Sequence, residues 1–253
     1  MNSIFDSPEF NDKLFFPRPD YGIAPLDSED SMVDVEGNAQ IHVRRHLSPS
    51  ASFSILYFHG NGEVVADYDD LAHRFSSFGA ELIVADYRGY GKSTGRPTLR
   101  DALRDSIKIY DCLMDKKKFR QNICVMGRSL GSASAIELCC KKSDVKACVI
   151  ESGYADPIPL VQRRGLRIDS TTAAEDELFN NSVKIRSVKC PLLIMHGKMD
   201  DLISPQEAVL NYRQAGSESK ELEIFEQVGH NDIIMAPDDG YFIRLNQFFQ
   251  DTL

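Results

Sequence analysis

The chain has 253 residues, 42% apolar and 26% charged, a globular composition with enough apolar side chains for a large core. Lys and Arg number 29 against 38 Asp and Glu, a formal charge of −9 that argues against a nucleic-acid partner. No stretch approaches 18 apolar residues, MNSIFDSPEF lacks the basic and apolar regions of a secretory signal, and Asn2 stands where N-myristoylation needs glycine, so a soluble, cytoplasmic protein without an integral membrane segment is expected.

In chain order, residues 1–29 are expected to form an extended N-terminal segment, with the proline-rich FPRPDYGIAP (16–25) laid over the surface. Residues 31–46 form two half-alternating runs around Glu36-Gly37-Asn38, the pattern of a β-hairpin. Apolar runs then follow at 52–59, 80–87, 122–127, 146–152, 191–197 and 221–227. Helical stretches alternate with them at 66–78, 99–116, 132–142 and 205–215, and a last one closes the chain at 241–253. Continuous apolar runs mark strands buried on both faces, and their alternation with helices predicts an α/β fold with a mostly parallel sheet. About eight strands with helices on both faces, in one domain over 1–253, accommodate the whole chain. The irregular stretch 153–189, between two strands, is expected to be a short lid or cap.

Nothing predicts a cofactor or a metal. No G-x-G-x-x-G opens a helix, and DYRGYGKST (86–94) has Asp86 where a phosphate loop needs glycine, so it reads as a turn after a strand. The six cysteines, Cys112, Cys124, Cys139, Cys140, Cys148 and Cys190, form no C-x-x-C and read as buried free thiols. The short basic runs 116–118, 141–142 and 163–164 read as solvated charge.

Chemistry enters at GRSLG (127–131), between the run 122–127 and the helical stretch from 132. Serine and two glycines weaken both elements they join. A serine in a sharp strand-to-helix turn, however, presents its hydroxyl at a helix N-terminus, and the glycines let strand and helix approach closely. Such a serine needs a base, and the base needs an orienting acid. His42, His46 and His73 fall in the hairpin and a helix and read as structural. His59 and His196 end strands near the reactive edge. His230, in VGHND, follows the last strand and stands where the order Ser…Asp…His puts the base. HGKMDDLIS (196–204) offers Asp200 and Asp201 as acids, and Glu151, closing the preceding strand, is a further candidate. Backbone N–H groups for an oxyanion are expected from Leu130, after the nucleophile, and from Asn61 in FHGNGE.

HGNG (59–62), DYRGYGKSTG (86–95), GRSLGS (127–132), CPLLIMHGKMDDLIS (190–204) and VGHNDI (228–233) together resemble the α/β-hydrolase superfamily of serine hydrolases, from about residue 30 to the C-terminus. The set looks closest to the small, minimally lidded subgroup that includes the eukaryotic protein depalmitoylases and bacterial homologues. The resemblance implies the α/β-hydrolase fold, Ser129 as nucleophile, Asp200 rather than Asp201 as acid, His230 as base, and the backbones of Asn61 and Leu130 as the oxyanion hole. The N-terminal cysteine cluster of the depalmitoylases is absent, since no cysteine precedes residue 112. Segment 153–189 departs from the family pattern and holds Arg163, Arg164 and Arg167, which read as surface charge or as contacts for an anionic head group or phosphate. The expected function is hydrolysis of a small-molecule or acyl-protein ester or thioester through an acyl-enzyme. The alternatives are the same triad acting as peptidase, acyltransferase or cofactor-free haloperoxidase, and a non-catalytic binding protein. Acylation is expected to fall as pH drops through about 6 to 7, where a histidine base is protonated.

Overall fold

Each apolar run is a strand. The structure, a computed structural model, describes residues 3–253; Met1 and Asn2, the start of the expected extended segment, lie outside the described residues. The hairpin is β1 (Ser28–Val35) and β2 (Ala39–His46), antiparallel from Ser28↔His46 to Val35↔Ala39. It is followed by β3 (Phe53–Phe58), β4 (Ala80–Ala85), β5 (Asn122–Arg128), β6 (Ala147–Glu151), β7 (Leu192–Gly197) and β8 (Lys220–Phe225). They make one eight-stranded sheet in the order β1-β2-β4-β3-β5-β6-β7-β8. The first two neighbour pairs are antiparallel and the rest parallel, the α/β-hydrolase architecture.

The strand side chains sort by the two-residue period of a pleated sheet. Ile123 and Val125 of β5 and Ile83 of β4 join one core, which holds the buried faces of α3 (Leu99–Asp115), α4 (Ser132–Lys141) and α8 (Pro205–Gln214). Cys124, Met126, Leu82 and Val84 join the other core, against α2 (Ala72–Ser76) and α9 (Gly240–Thr252). The expected helix 66–78 is shorter and broken: a 3-10 turn at Val65–Tyr68 precedes α2.

The N-terminal segment is not extended throughout. Ser7 caps α1 (Pro8–Leu14) by accepting from the Phe10 N–H, with Pro8 at the first helical position. A two-turn helix is marginal by propensity alone. Here Phe5, Phe10, Leu14 and Phe15 are buried in the core, and Phe5 stacks on Phe179 with ring centroids 4.8 Å from Phe10 and 4.2 Å from Phe179. Segment 153–189 carries α5 (Ile158–Gln162), α6 (Ala173–Phe179) and α7 (Asn181–Lys184). Of the six free thiols, Cys124, Cys139 and Cys148 are buried; Cys112, Cys140 and Cys190 are only partly covered, against the expectation for all six.

Candidate active site

The register brings the carboxyl ends of the central strands level: Phe58 pairs with Gly127, and Arg128 with Glu151. β5 passes into α4 through a 3-10 turn, Ser129–Gly131. Ser129 has φ +52°, a left-handed backbone that side chains seldom adopt. A Cβ at Gly131 would overlap the Phe58 carbonyl, and one at Gly127 would overlap the Gly131 carbonyl and the Ala135 methyl. The glycines are therefore required by the close approach of β3, β5 and α4. Ser132 Oγ donates to the Ser129 carbonyl at 2.6 Å and accepts from Asn181 Nδ2 of α7, which braces the turn.

His230 Nε2 lies 2.9 Å from Ser129 Oγ, and His230 Nδ1 lies 2.7 Å from Asp200 Oδ2. A carboxylate only accepts, so Nδ1 carries the proton and Nε2 is left to accept from the serine hydroxyl. All three residues are buried, Ser129 at 7% exposure. A Cβ at Gly197 would overlap the Val228 and Gly229 carbonyls, so the end of β7 lies directly against the histidine loop. The Met199 N–H donates to the Val228 carbonyl at 3.0 Å across the same junction.

Asp200 Oδ1 accepts from the N–H groups of Leu202 and Ile203 at 2.9 and 2.7 Å. His196 Nε2 sits 3.0 Å from Asp200 Oδ2 and 2.8 Å from the Ile203 carbonyl; both are acceptors, so this nitrogen donates to them. Burial pushes the Asp200 carboxyl up, but the hydrogen bonds from His196, His230 and Ile203 outweigh it and hold it well below the usual carboxylate range. The other acid candidates stand elsewhere. Asp201 is exposed on the cavity rim, and Glu151 is occupied by Arg128, Tyr57 and Tyr241.

Ser129, His230, Leu130 and Asn61 share a cavity of about 380 Å³. In the loop after β3, the Gly60 N–H donates to Glu63 at 2.7 Å. The Asn61 N–H has no acceptor among the described residues. Leu130 lies in the first turn leading into α4, where N–H groups lack intrahelical acceptors. The Asn61 side chain ties down the N-terminal segment: Nδ2 donates to the Leu14 carbonyl at 2.6 Å, and Oδ1 accepts from the Phe16 N–H at 2.9 Å and the Tyr90 hydroxyl at 2.6 Å. Leu14 and Phe16 consequently form part of the cavity wall.

His59 and His42 lie behind the site, not in it. His42 Nδ1 and His59 Nε2 meet the two oxygens of Asp86 at 2.9 and 3.2 Å, and the Val65 N–H also donates to Asp86. Burial raises the Asp86 pKa, but these hydrogen bonds bring it down to about 2. Gly91, with φ +54°, packs against Asp86 in the turn after β4, so DYRGYGKST is a structural turn.

Arg128, His196 and the Leu14–Phe16 wall were not anticipated as parts of the site. Arg128 is buried; Nε donates to Glu151 at 3.0 Å, Nη1 pairs with Glu63, and Nη2 donates to the His230 carbonyl at 2.9 Å and to Asn231 Oδ1 at 3.1 Å. Burial pushes both carboxyls up. For Glu63 the Arg128 charge and the Tyr68 hydroxyl win and hold it low, whereas Glu151 stays raised. The only local signal was the position of Arg128 inside the serine motif. Among the described residues no group of His, Cys, Asp and Glu is placed to hold a metal ion, and no helix is long and apolar enough to cross a membrane.

The model of the family described as serine aminopeptidase, S33 matches residues 49–175. Protein bem46 of Schizosaccharomyces pombe is 32% identical over 212 residues, 81% of this chain and 70% of that protein. Human α/β hydrolase domain-containing protein 17B is 27% identical over 214 residues, 81% of this chain and 69% of that protein. The esterase Pf2001 of Pyrococcus furiosus superposes with a TM-score of 0.77 at 19% identity, covering 93% of this chain and 98% of that one; at that identity the likeness is one of fold.

Proposed function

The chain belongs to the α/β-hydrolase superfamily, within the S33 serine aminopeptidase family, and from that premise we propose that it is a serine hydrolase cleaving an ester or thioester through an acyl-enzyme. The observation that carries this reading is the unbroken chain Ser129 Oγ, His230, Asp200, with links of 2.9 and 2.7 Å at the wall of a cavity. Ser129 Oγ attacks the acyl carbon while His230 Nε2 takes its proton and passes it to the leaving group. Asp200 keeps His230 in the productive tautomer and stabilises the imidazolium. The N–H groups of Leu130 and Asn61 receive the charge that develops on the carbonyl oxygen. Water then enters, gives its proton to His230 and releases the acid. The cavity, open at the rim where Phe16 and Asp201 are exposed, suits a short or surface-presented acyl group.

The test is hydrolysis of p-nitrophenyl esters from acetyl to palmitoyl, beside fluorophosphonate labelling mapped by mass spectrometry. Turnover that falls at least about 10³-fold in Ser129→Ala, with the label on Ser129, supports the reading. Asp200→Asn is expected to lose about 10⁴-fold, and Asp201→Asn at least a hundredfold less than that. A folded protein that neither turns over any ester nor labels at Ser129 would overturn it.

A further inference from the structure

Acidic side chains outnumber basic ones in this chain, and most of its buried or half-buried arginines have found a carboxylate: Arg44 pairs with Asp30 and Asp69, Arg88 with Asp105, Arg100 with Asp6, Arg128 with Glu63 and Glu151. Arg163 and Arg164 at the candidate site are instead exposed. Both follow α5, both line the cavity that holds Ser129 and His230, and neither meets a carboxylate among the described residues. Asp201 is the single unpaired acid in the same lining.

Arg164 is held in place by neutral groups. Its Nη1 donates to the carbonyls of Lys13 and Leu14, and its guanidinium lies 4.7 Å over the Phe16 ring. Arg163 Nε donates to the Pro159 carbonyl at 3.3 Å. A guanidinium has five N–H donors, so each arginine keeps unused donors. Partial burial, and after it the charge of Arg163, push the Arg164 pKa down. A bound anion relieves that repulsion, and a planar guanidinium pair matches phosphate or carboxylate oxygens. A free amino terminus, the group an aminopeptidase must hold, would be repelled by the same pair.

We infer that Arg163 and Arg164 form an anion subsite at the mouth of the Ser129 cavity, so that preferred substrates carry a phosphate or carboxylate beside the scissile ester or thioester. The word substrate rests on the hydrolase reading above; the subsite itself does not.

Two matched pairs of compounds test it. Octanoyl coenzyme A and S-octanoyl-N-acetylcysteamine share the thioester and acyl chain and differ in the phosphates of the leaving group. p-Nitrophenyl hemisuccinate and p-nitrophenyl pentanoate differ in a carboxylate on the acyl side. The ratio of kcat/KM within a pair is insensitive to the fraction of enzyme folded. In at least one pair at low ionic strength the anionic member is expected to be favoured roughly tenfold. The ratio should fall toward one in Arg163→Gln/Arg164→Gln and at high salt. The pair that shows it identifies phosphate or carboxylate as the anion. A wild-type ratio near one in both pairs, or a ratio that survives the double substitution, overturns the subsite. Absence of turnover on all four compounds counts against the hydrolase reading alone. The subsite is then judged by octanoyl coenzyme A binding to Ser129→Ala, which must weaken about tenfold when both arginine substitutions are added.

Discussion

Arg128 Nη2 donates to the main-chain carbonyl of His230 at 2.9 Å, so the residue beside the serine also holds the loop that carries the histidine. The same guanidinium pairs with Glu63, whose other oxygen accepts the Gly60 N–H next to Asn61. One buried side chain thus ties together the serine turn, the histidine loop and the loop that carries Asn61. Arg128→Met would leave the buried Glu151 and the half-buried Glu63 without their cation and is expected to destabilise the fold by about 3–5 kcal/mol in denaturant unfolding. Arg128→Lys keeps the charge but not the fork. It should retain most of the stability yet lower kcat roughly 10- to 100-fold with KM changed less than about threefold, because geometry and not binding is disturbed. Equal losses in kcat and stability for both variants would contradict a positioning role.

His196 stands behind Asp200 as Asp200 stands behind His230. Removing its donor in His196→Phe withdraws one of the hydrogen bonds that hold the Asp200 carboxyl low against burial. The Asp200 pKa should rise, and turnover on p-nitrophenyl esters should fall about tenfold, far less than for Asp200→Asn. The acid limb of the kcat/KM profile should move to higher pH. An unchanged limb would mean that His196 merely fills space.

Gly131 faces the Phe58 carbonyl at a distance that admits no Cβ. Gly131→Ala must push α4 away from β3, and it is expected to lower stability by about 2–4 kcal/mol or prevent folding. Thermal unfolding checks this, and a variant with an unchanged melting temperature would show that the turn is looser than the packing implies.

Asp86 is one of the depressed carboxyls, with Asp30 and Asp200, that set the response to acid. Its pKa in the folded protein is about 2, below the value near 4 of an unfolded chain. A depressed carboxyl contributes stability above the unfolded pKa, and that contribution is lost as pH falls through the folded one. Wild type should therefore weaken between about pH 4 and 2 by about 2 kcal/mol from this group. Asp86→Asn should already lack that amount at pH 7 and show a flatter acid limb, measured by urea unfolding at several pH values.

The strands, the serine turn and the candidate base were legible because each is a local pattern. Buried strands announce themselves as apolar runs, and GRSLG places its glycines where a turn between β5 and α4 must be narrow. His230 was identifiable from its place after the last strand, and Asp200 from its distance past His196, although its choice over Asp201 leaned on family likeness. Helix α1 was missed although Ser7, Pro8 and Glu9 carry a capping signal. Two turns of helix are not stable alone, and its order comes from Phe5 and Phe10 packing on residues far along the chain.

Composition and periodicity were thus sufficient for the strands and for the narrow turn that carries Ser129, since these follow from backbone geometry over a few residues. Folding alone revealed that Arg128 joins loops up to 103 positions apart, that His196 backs Asp200, and that Leu14 and Phe16 wall the cavity, and it decided that Arg163 and Arg164, which the sequence left between surface charge and anion contacts, line it too. A charged side chain reads the same in one dimension whether it faces water, a carboxylate or a substrate. Its meaning is set by the groups that long-range packing places around it.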